Sequence, residues 1–241
     1  TGTGNDTCDV SSDGKLGLGT LSGLSAPLTI DGQGGSDTLN ISDFADAAVG
    51  SGRLTSSAFT GFGTAGIGYA GFEAVNIQLG KAADVLNVVS TYLQAVTTIR
   101  AGPGGDTVNV SSDAPTDQGT LSGIAGHLVV DGQSGTGDVL NVSDAGDSVG
   151  QIGALTSTAI TGLGTAGITY SGLTTLNITL GFGSDSFGVV STGATTNLST
   201  GAGADSVTVG AAAGLLGGID NPLSIDGAAG PGSDSLTVTD V

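Results

Sequence analysis

The chain has 241 residues, of which 46 are glycine and only five proline, and its 22 acidic against four basic side chains leave a net charge of −18. Glycine at that density without a collagen period excludes a helical protein and points to many tight turns. The charge excludes nucleic acid, anionic membranes and uronate polymers as partners, while cations and neutral glycans stay compatible with it.

Every acidic residue except Glu73 is Asp, a turn residue, so the acid is expected in corners. The first corner, Gly2-Thr-Gly-Asn-Asp6, leads into a strand in which the single cysteine, Cys8, falls in the apolar row. Alone, it can form no internal disulfide and is expected as a small core side chain. A loop from Lys15 to Ser22 follows, then strand Leu28-Thr-Ile-Asp-Gly32, a corner from Gly34 to Asp37, and strand Thr38 to Ser42. Period 2 places Asp37, Leu39 and Ile41 on one face and Thr38, Asn40 and Ser42 on the other.

Further along, Gly61-Phe-Gly-Thr-Ala65-Gly-Ile-Gly-Tyr69 reads as a degenerate corner in which Ala65 replaces Asp. It spells G-x-G-x-x-G, yet no helix can follow it, so a dinucleotide site is excluded. Clear corners then recur at Asp84 and at Gly102-Pro-Gly-Gly-Asp106. From there the chain repeats itself at an offset of 100 to 101 residues: Asp6 returns as Asp106, and Leu54-Thr-Ser to Leu79-Gly80 returns as Leu155-Thr-Ser to Leu180-Gly181. The second copy carries corners at Asp138, Ala166 and Asp185, and an incomplete third copy carries Asp205 and Asp234.

Each unit is strand, glycine corner, strand. One coil cannot bury its apolar row, but stacked coils can. The expected fold is therefore all-β, a parallel β-helix or β-solenoid of about ten coils forming one domain over residues 1–241, with superrepeats at roughly 1–104, 105–203 and 204–241. Two or three β-sandwiches would also give a 100-residue repeat, but not the corners recurring within it. No apolar run is long enough to span a bilayer, and the start at Thr1 without a signal sequence suggests a processed protein or a fragment.

At the glycine-Asp corners the chain resembles the calcium-binding nonapeptide repeats of RTX (hemolysin-type) proteins, G-G-x-G-x-D-x-U-x, and as a whole it is similar to the long β-strand-repeat proteins that bacteria export to their surfaces. The resemblance implies calcium binding in the turns for Asp37, Asp106, Asp205 and Asp234. With the stacked corners Asp6, Asp84, Asp138 and Asp185 these form the candidate metal-binding set. Carboxylates stacked about 5 Å apart need a cation or backbone N–H groups to neutralise them. Both readings stay open: calcium ligands, or caps on their own turns.

Six N-x-[S/T] sequons occur, at Asn5, Asn40, Asn109, Asn141, Asn177 and Asn197. Those at 40, 109 and 141 share one outward strand position, which suits either a row of glycans or a ladder of side-chain hydrogen bonds to which Asn87 would also belong. The function expected is an extracellular, non-enzymatic structural or adhesive element, a filament subunit or a repeat segment of a surface protein, associating end to end and open to calcium and glycans. The alternative is a parallel-β-helix protein that binds or cleaves polysaccharide, with Asp43/Asp46 and Asp144/Asp147 as acid and base. Both pairs recur at the same phase of each superrepeat, as loop chemistry does, whereas an active site normally occurs once.

Overall fold

The computed structural model describes residues 2–133, 135–210, 216–228 and 232–240. Among them it is all-β and contains no helix. In chain order the first superrepeat supplies β1 (Thr7–Val10), β2 (Leu28–Asp31), β3 (Thr38–Ser42), β4 (Ser51–Thr55), β5 (Ala58–Gly61), β6 (Thr64–Ala70), β7 (Ala74–Gln78), β8 (Val85–Val88) and β9 (Val96–Arg100). The second supplies β10 (Thr107–Val110), β11 (Leu128–Asp131), β12 (Val139–Ser143), β13 (Ile152–Thr156), β14 (Ala159–Gly162), β15 (Ile168–Ser171), β16 (Thr175–Thr179), β17 (Ser186–Val189) and β18 (Thr195–Ser199). The third supplies β19 (Ser206–Val209), β20 (Leu223–Asp226) and β21 (Ser235–Val238).

Two large sheets result. One has the order β1-β3-β7-β9-β11-β15-β14-β13-β17-β19-β21, the other β2-β6-β5-β4-β8-β10-β12-β16-β18-β20. The chain crosses from one sheet to the other after every strand except inside two meanders, β4-β5-β6 and β13-β14-β15, each of which stays in one sheet and fills three places there. The first meander lies in the second sheet and the second meander in the first sheet. Within each sheet the pairing is parallel except where β5 and β14 run antiparallel to their neighbours.

The alternation expected from the sequence explains the core. Leu39 and Ile41 pair with Val75 and Ile77, Leu140 and Val142 with Leu176 and Ile178, and all eight are at most 1% exposed. These inward rows from both sheets merge into one apolar cluster. Burying each such side chain stabilises the fold by roughly 1.5–3 kcal/mol. Cys8 pairs with Leu39 in the same row and is half-buried because β1 is an edge strand. Ser42, expected on the outer face, is instead buried, its hydroxyl accepting the Gly17 N–H at 3.1 Å.

The meanders correct one expectation. Ala65 and Ala166 do not stack with the corner Asp residues; the G-x-G stretches before them reverse the chain between antiparallel strands. Gly61, Phe62 and Gly63 have φ of 95°, 51° and 72°, and Gly162, Leu163 and Gly164 have 78°, 53° and 68°. Three successive left-handed residues make a hairpin rather than a corner between sheets. A buried tyrosine pins each meander: Tyr69 donates its hydroxyl to the Thr55 carbonyl at 2.5 Å and Tyr170 donates to that of Thr156 at 2.6 Å.

Candidate functional site

The corner Asp residues each stand immediately before the first residue of a strand, and parallel pairing brings them into three rows. In the row Asp84, Asp106, Asp138, the N–H of Asp84 donates to Asp106 Oδ1 at 2.7 Å and that of Asp106 donates to Asp138 Oδ1 at 2.8 Å. Asp185 donates likewise to Asp205 at 2.7 Å, and Asp205 to Asp234 at 3.0 Å. Asp6 donates to Asp37 at 2.7 Å, and Asp37 donates to Glu73 Oε2 at 2.7 Å. Apart from that of Asp6 at the sheet edge, each carboxylate thus takes up a backbone N–H at the preceding strand start. Asp84 and Asp185 each accept two, from Gly50 and Gly80 and from Gln151 and Gly181.

Burial of these side chains is nearly complete, from 1 to 3% exposed for Asp37, Asp84, Asp106, Asp138, Asp185 and Asp205. Asp6 is half-buried and Asp234 exposed, as befits strand starts at the sheet edges. The glycines of the motif make the close fit possible: a Cβ on Gly135 would lie 2.6 Å from Asp138 Oδ2, and one on Gly132 2.7 Å from it. Desolvation pushes the Asp106 carboxyl up to about 7, against the hydrogen bond from Asp84 and reinforced by the charges of Asp138 and Asp84. Asp84, Asp138 and Asp185 are raised for the same first cause.

The second oxygens of Asp37, Asp106, Asp138 and Asp205 are buried with no hydrogen-bond partner. Calcium takes six to eight oxygens, whereas no group of three or more His, Cys, Asp or Glu side chains among the described residues is arranged to hold a metal ion. The donor set along the rows is one carboxylate per strand, with Oδ1 engaged by an N–H. That geometry is a backbone cap repeated from strand to strand.

A second ladder runs along the outer faces. Asn109 donates from Nδ2 to Oδ1 of Asn87 at 2.9 Å, Asn141 to Asn109 at 2.7 Å, Asn177 to Asn141 at 2.7 Å and Asn197 to Asn177 at 2.8 Å. On the other sheet Asn76 donates to Asn40 and Asn40 to Asp9. Five of the six sequon asparagines therefore sit in ladders with the amide nitrogen engaged. Asn5 lies off them, exposed, its Oδ1 accepting the Ser36 N–H at 2.9 Å.

Asp43 and Asp144 are buried at 3% and 1% exposed, and each accepts one N–H at 2.7 Å, from Leu21 and Leu121. They anchor the tips of the two equivalent loops that follow β1 and β10. Burial lifts both carboxyls to about 6, with Asp46 and Asp147 adding repulsion. Asp46 and Asp147 themselves accept the Ala48 and Val149 N–H groups. Asp43 and Asp144 thus tie down a distant loop, and Asp46 and Asp147 cap turns.

Glu73 and Thr174 are the ladder members that a search for Asp overlooks; Thr174 Oγ1 accepts the Gly137 N–H at 3.0 Å. Their common spacing to the meanders was the available signal, as it was for Ser90 and Ser191, whose hydroxyls accept the Ser56 and Ser157 N–H groups. No protein-family model and no curated protein matches the chain. Among the described residues no helix is long and apolar enough to cross a membrane.

Proposed function

We propose that the chain is an extracellular, non-enzymatic structural or adhesive element built as a β-solenoid, each coil crossing from one sheet to the other and stacking on the coil before it. The observation that carries this reading is the pair of strand-to-strand ladders: the side chains that recur most regularly, the corner Asp and the outward Asn, are spent on holding one strand to the next. Buried polar groups satisfied along a repeat rigidify it, and rigidity over a length is what a fibre or a stalk needs. The acid pairs proposed for polysaccharide cleavage serve the same architectural end, because each anchors or caps a loop.

End-to-end association belongs to this reading, since β1 and β21, and β2 and β20, stand at the ends of their sheets among the described residues. Electron microscopy of the purified protein is expected to show slender rods about 50 Å long, from strands spaced about 4.8 Å apart, alone or joined into filaments. A compact, isometric particle would overturn the solenoid.

For calcium, the expected result is a melting temperature that is the same in millimolar calcium and in chelator, because the ladder carboxylates are capped by N–H groups. A rise specific to calcium, absent with sodium at matched ionic strength, would restore the ion as a ligand of the Asp rows by mass action.

A further inference from the structure

Five large apolar side chains stand exposed along one margin of the first sheet. Leu93 and Val96 at the entry to β9, Val149 and Ile152 at the entry to β13, and Phe182 in the turn before β17 are between 46% and 78% exposed. Each of the three strands has a neighbour on both sides: β9 lies between β7 and β11, β13 between β14 and β17, and β17 between β13 and β19. The exposure therefore belongs to the outer face of the sheet, on the side where the chain arrives from the second sheet.

The repeat does not require these residues. β9 is equivalent to β18, β13 to β4 and β17 to β8, and the three counterparts all lie in the second sheet. There Thr195 stands for Val96, Ser51 for Ile152 and Lys81 for Phe182. The stretch Tyr92-Leu93-Gln94 between Thr91 and Ala95 shrinks to Gly193 between Thr192 and Ala194. Yet Thr91 and Thr192 hold the chain alike, each donating its hydroxyl to a backbone carbonyl, of Gly126 and of Asn221. Only Val149 has an apolar counterpart, Val49. Equivalent backbone positions thus carry polar side chains on one sheet and apolar ones on the other, so what selects the apolar set is the surface and not the coil.

The members of the line adjoin. The Thr97 N–H donates to the His127 carbonyl at 2.9 Å, which sets His127 beside Val96. Gly167, just before β15, leaves the imidazole uncovered, since a Cβ there would stand 3.3 Å from its Nδ1. At the far end the Phe182 N–H donates to the Asp147 carbonyl at 2.6 Å. Gly183 lies against Val149 and Gly150, where a Cβ would meet the Gly150 nitrogen at 2.3 Å. The Asp147 carboxylate has both oxygens engaged, by the Val149 N–H and the Gln151 amide. The outward residues beside the line, Thr98, Val129, Thr169, Ala154 and Gly188, carry no charge. In a molecule of net charge −18, an uncharged apolar margin is where two copies can meet without bringing carboxylates together.

We propose that this margin is the interface of a two-fold dimer, in which the Leu93–Val96 end of one copy packs on the Val149–Ile152–Phe182 end of the other. β9 and β13 are four strand places apart, about 19 Å at about 4.8 Å per strand. A two-fold axis parallel to the strands and close to β15 lays the two outer faces together with their strand orders reversed. Each end then meets its complement, and the same contact is made twice. The dimer is closed and is separate from end-to-end stacking of coils.

Sedimentation velocity of the intact protein over a wide concentration range tests this. A monomer–dimer equilibrium is expected, tightening as salt screens the net charge. Leu93→Lys and Phe182→Asp should each weaken it about tenfold or more, with thermal melts unchanged because both side chains are exposed. Mixed in equal amounts, the two variants should dimerise again, since one of the two contacts then pairs the introduced charges and the other is unaltered. A protein that stays monomeric, a dimer indifferent to both substitutions, or variants that fail to recover on mixing would overturn the proposal. A monomer that sediments with phosphatidylcholine vesicles, and does so less after Phe182→Asp, would overturn it in favour of a lipid surface. Species that grow past the dimer and ignore both substitutions would leave end-to-end contact standing alone, whereas a dimer that stops at two upholds the interface whether or not the coil ends associate.

Discussion

The protein is expected to melt about 10 °C higher at pH 5 than at pH 8, the reverse of the usual behaviour of a carboxylate-rich chain. Burial raises Asp106 to about 7 and Asp43 and Asp144 to about 6, from the ordinary value of 3.8 to which they return on unfolding. Between pH 4 and 7 the folded chain therefore binds more protons than the unfolded one, and stability falls as pH rises through that window. It is fully present below about pH 4 and lost above about pH 7. One pH unit of displacement is worth about 1.4 kcal/mol, so the three groups together amount to several kcal/mol. A domain of this size moves by about 2–4 °C per kcal/mol. Repulsion within a net charge of −18 acts in the same direction. Asp113, held low first by the Thr116 hydroxyl, acts in the opposite direction. Thermal melts across pH 4 to 9 check the expectation, and Asp106→Asn should flatten the upper part of the curve. A melting temperature that climbs with pH would mean that the rows are neutralised by something other than protons.

Gly201→Ala is expected to destabilise by about 3 kcal/mol or more, and Gly14→Ala by about 1 kcal/mol. Both glycines have positive φ, 79° and 58°. The difference lies in their surroundings. A Cβ at Gly201 would stand 2.0 Å from the Gly181 carbonyl oxygen and 2.8 Å from that of Leu180, both backbone atoms that cannot swing aside, whereas a Cβ at Gly14 meets nothing within 4 Å. Gly102 faces the Gly80 carbonyl in the same way in the preceding superrepeat. Denaturant unfolding of the two variants decides the matter: equal losses would show that the backbone conformation alone, and not the close approach of neighbouring corners, demands glycine.

Strand positions and inward rows were legible in the sequence because period 2 is a local property: Leu39, Ile41, Leu140 and Val142 are buried as the alternation requires. The grouping of Asp84, Asp106 and Asp138 in one row, and of Asp185, Asp205 and Asp234 in another, followed from corner spacing. What was not legible is the direction in which a glycine turn sends the chain. Gly61-Phe-Gly63 and Gly102-Pro-Gly104 look alike as strings, yet one closes a hairpin within a sheet and the other leads from one sheet to the other. The distinction depends on three consecutive positive φ values and on a tyrosine fourteen positions away from the carbonyl it holds, a tertiary contact that no short window contains. Glu73 was hidden for a related reason, since its carboxylate occupies an Asp place one side-chain carbon further out.

Each complete superrepeat has nine strands, β1 to β9 and β10 to β18. An odd number cannot return the chain to the sheet on which it began, which is why β1 and β10, equivalent in sequence, belong to different sheets, and why the two meanders do as well. Equivalent strands of successive superrepeats thereby lie in different sheets rather than in the same one. What one superrepeat places in one sheet, the next places in the other.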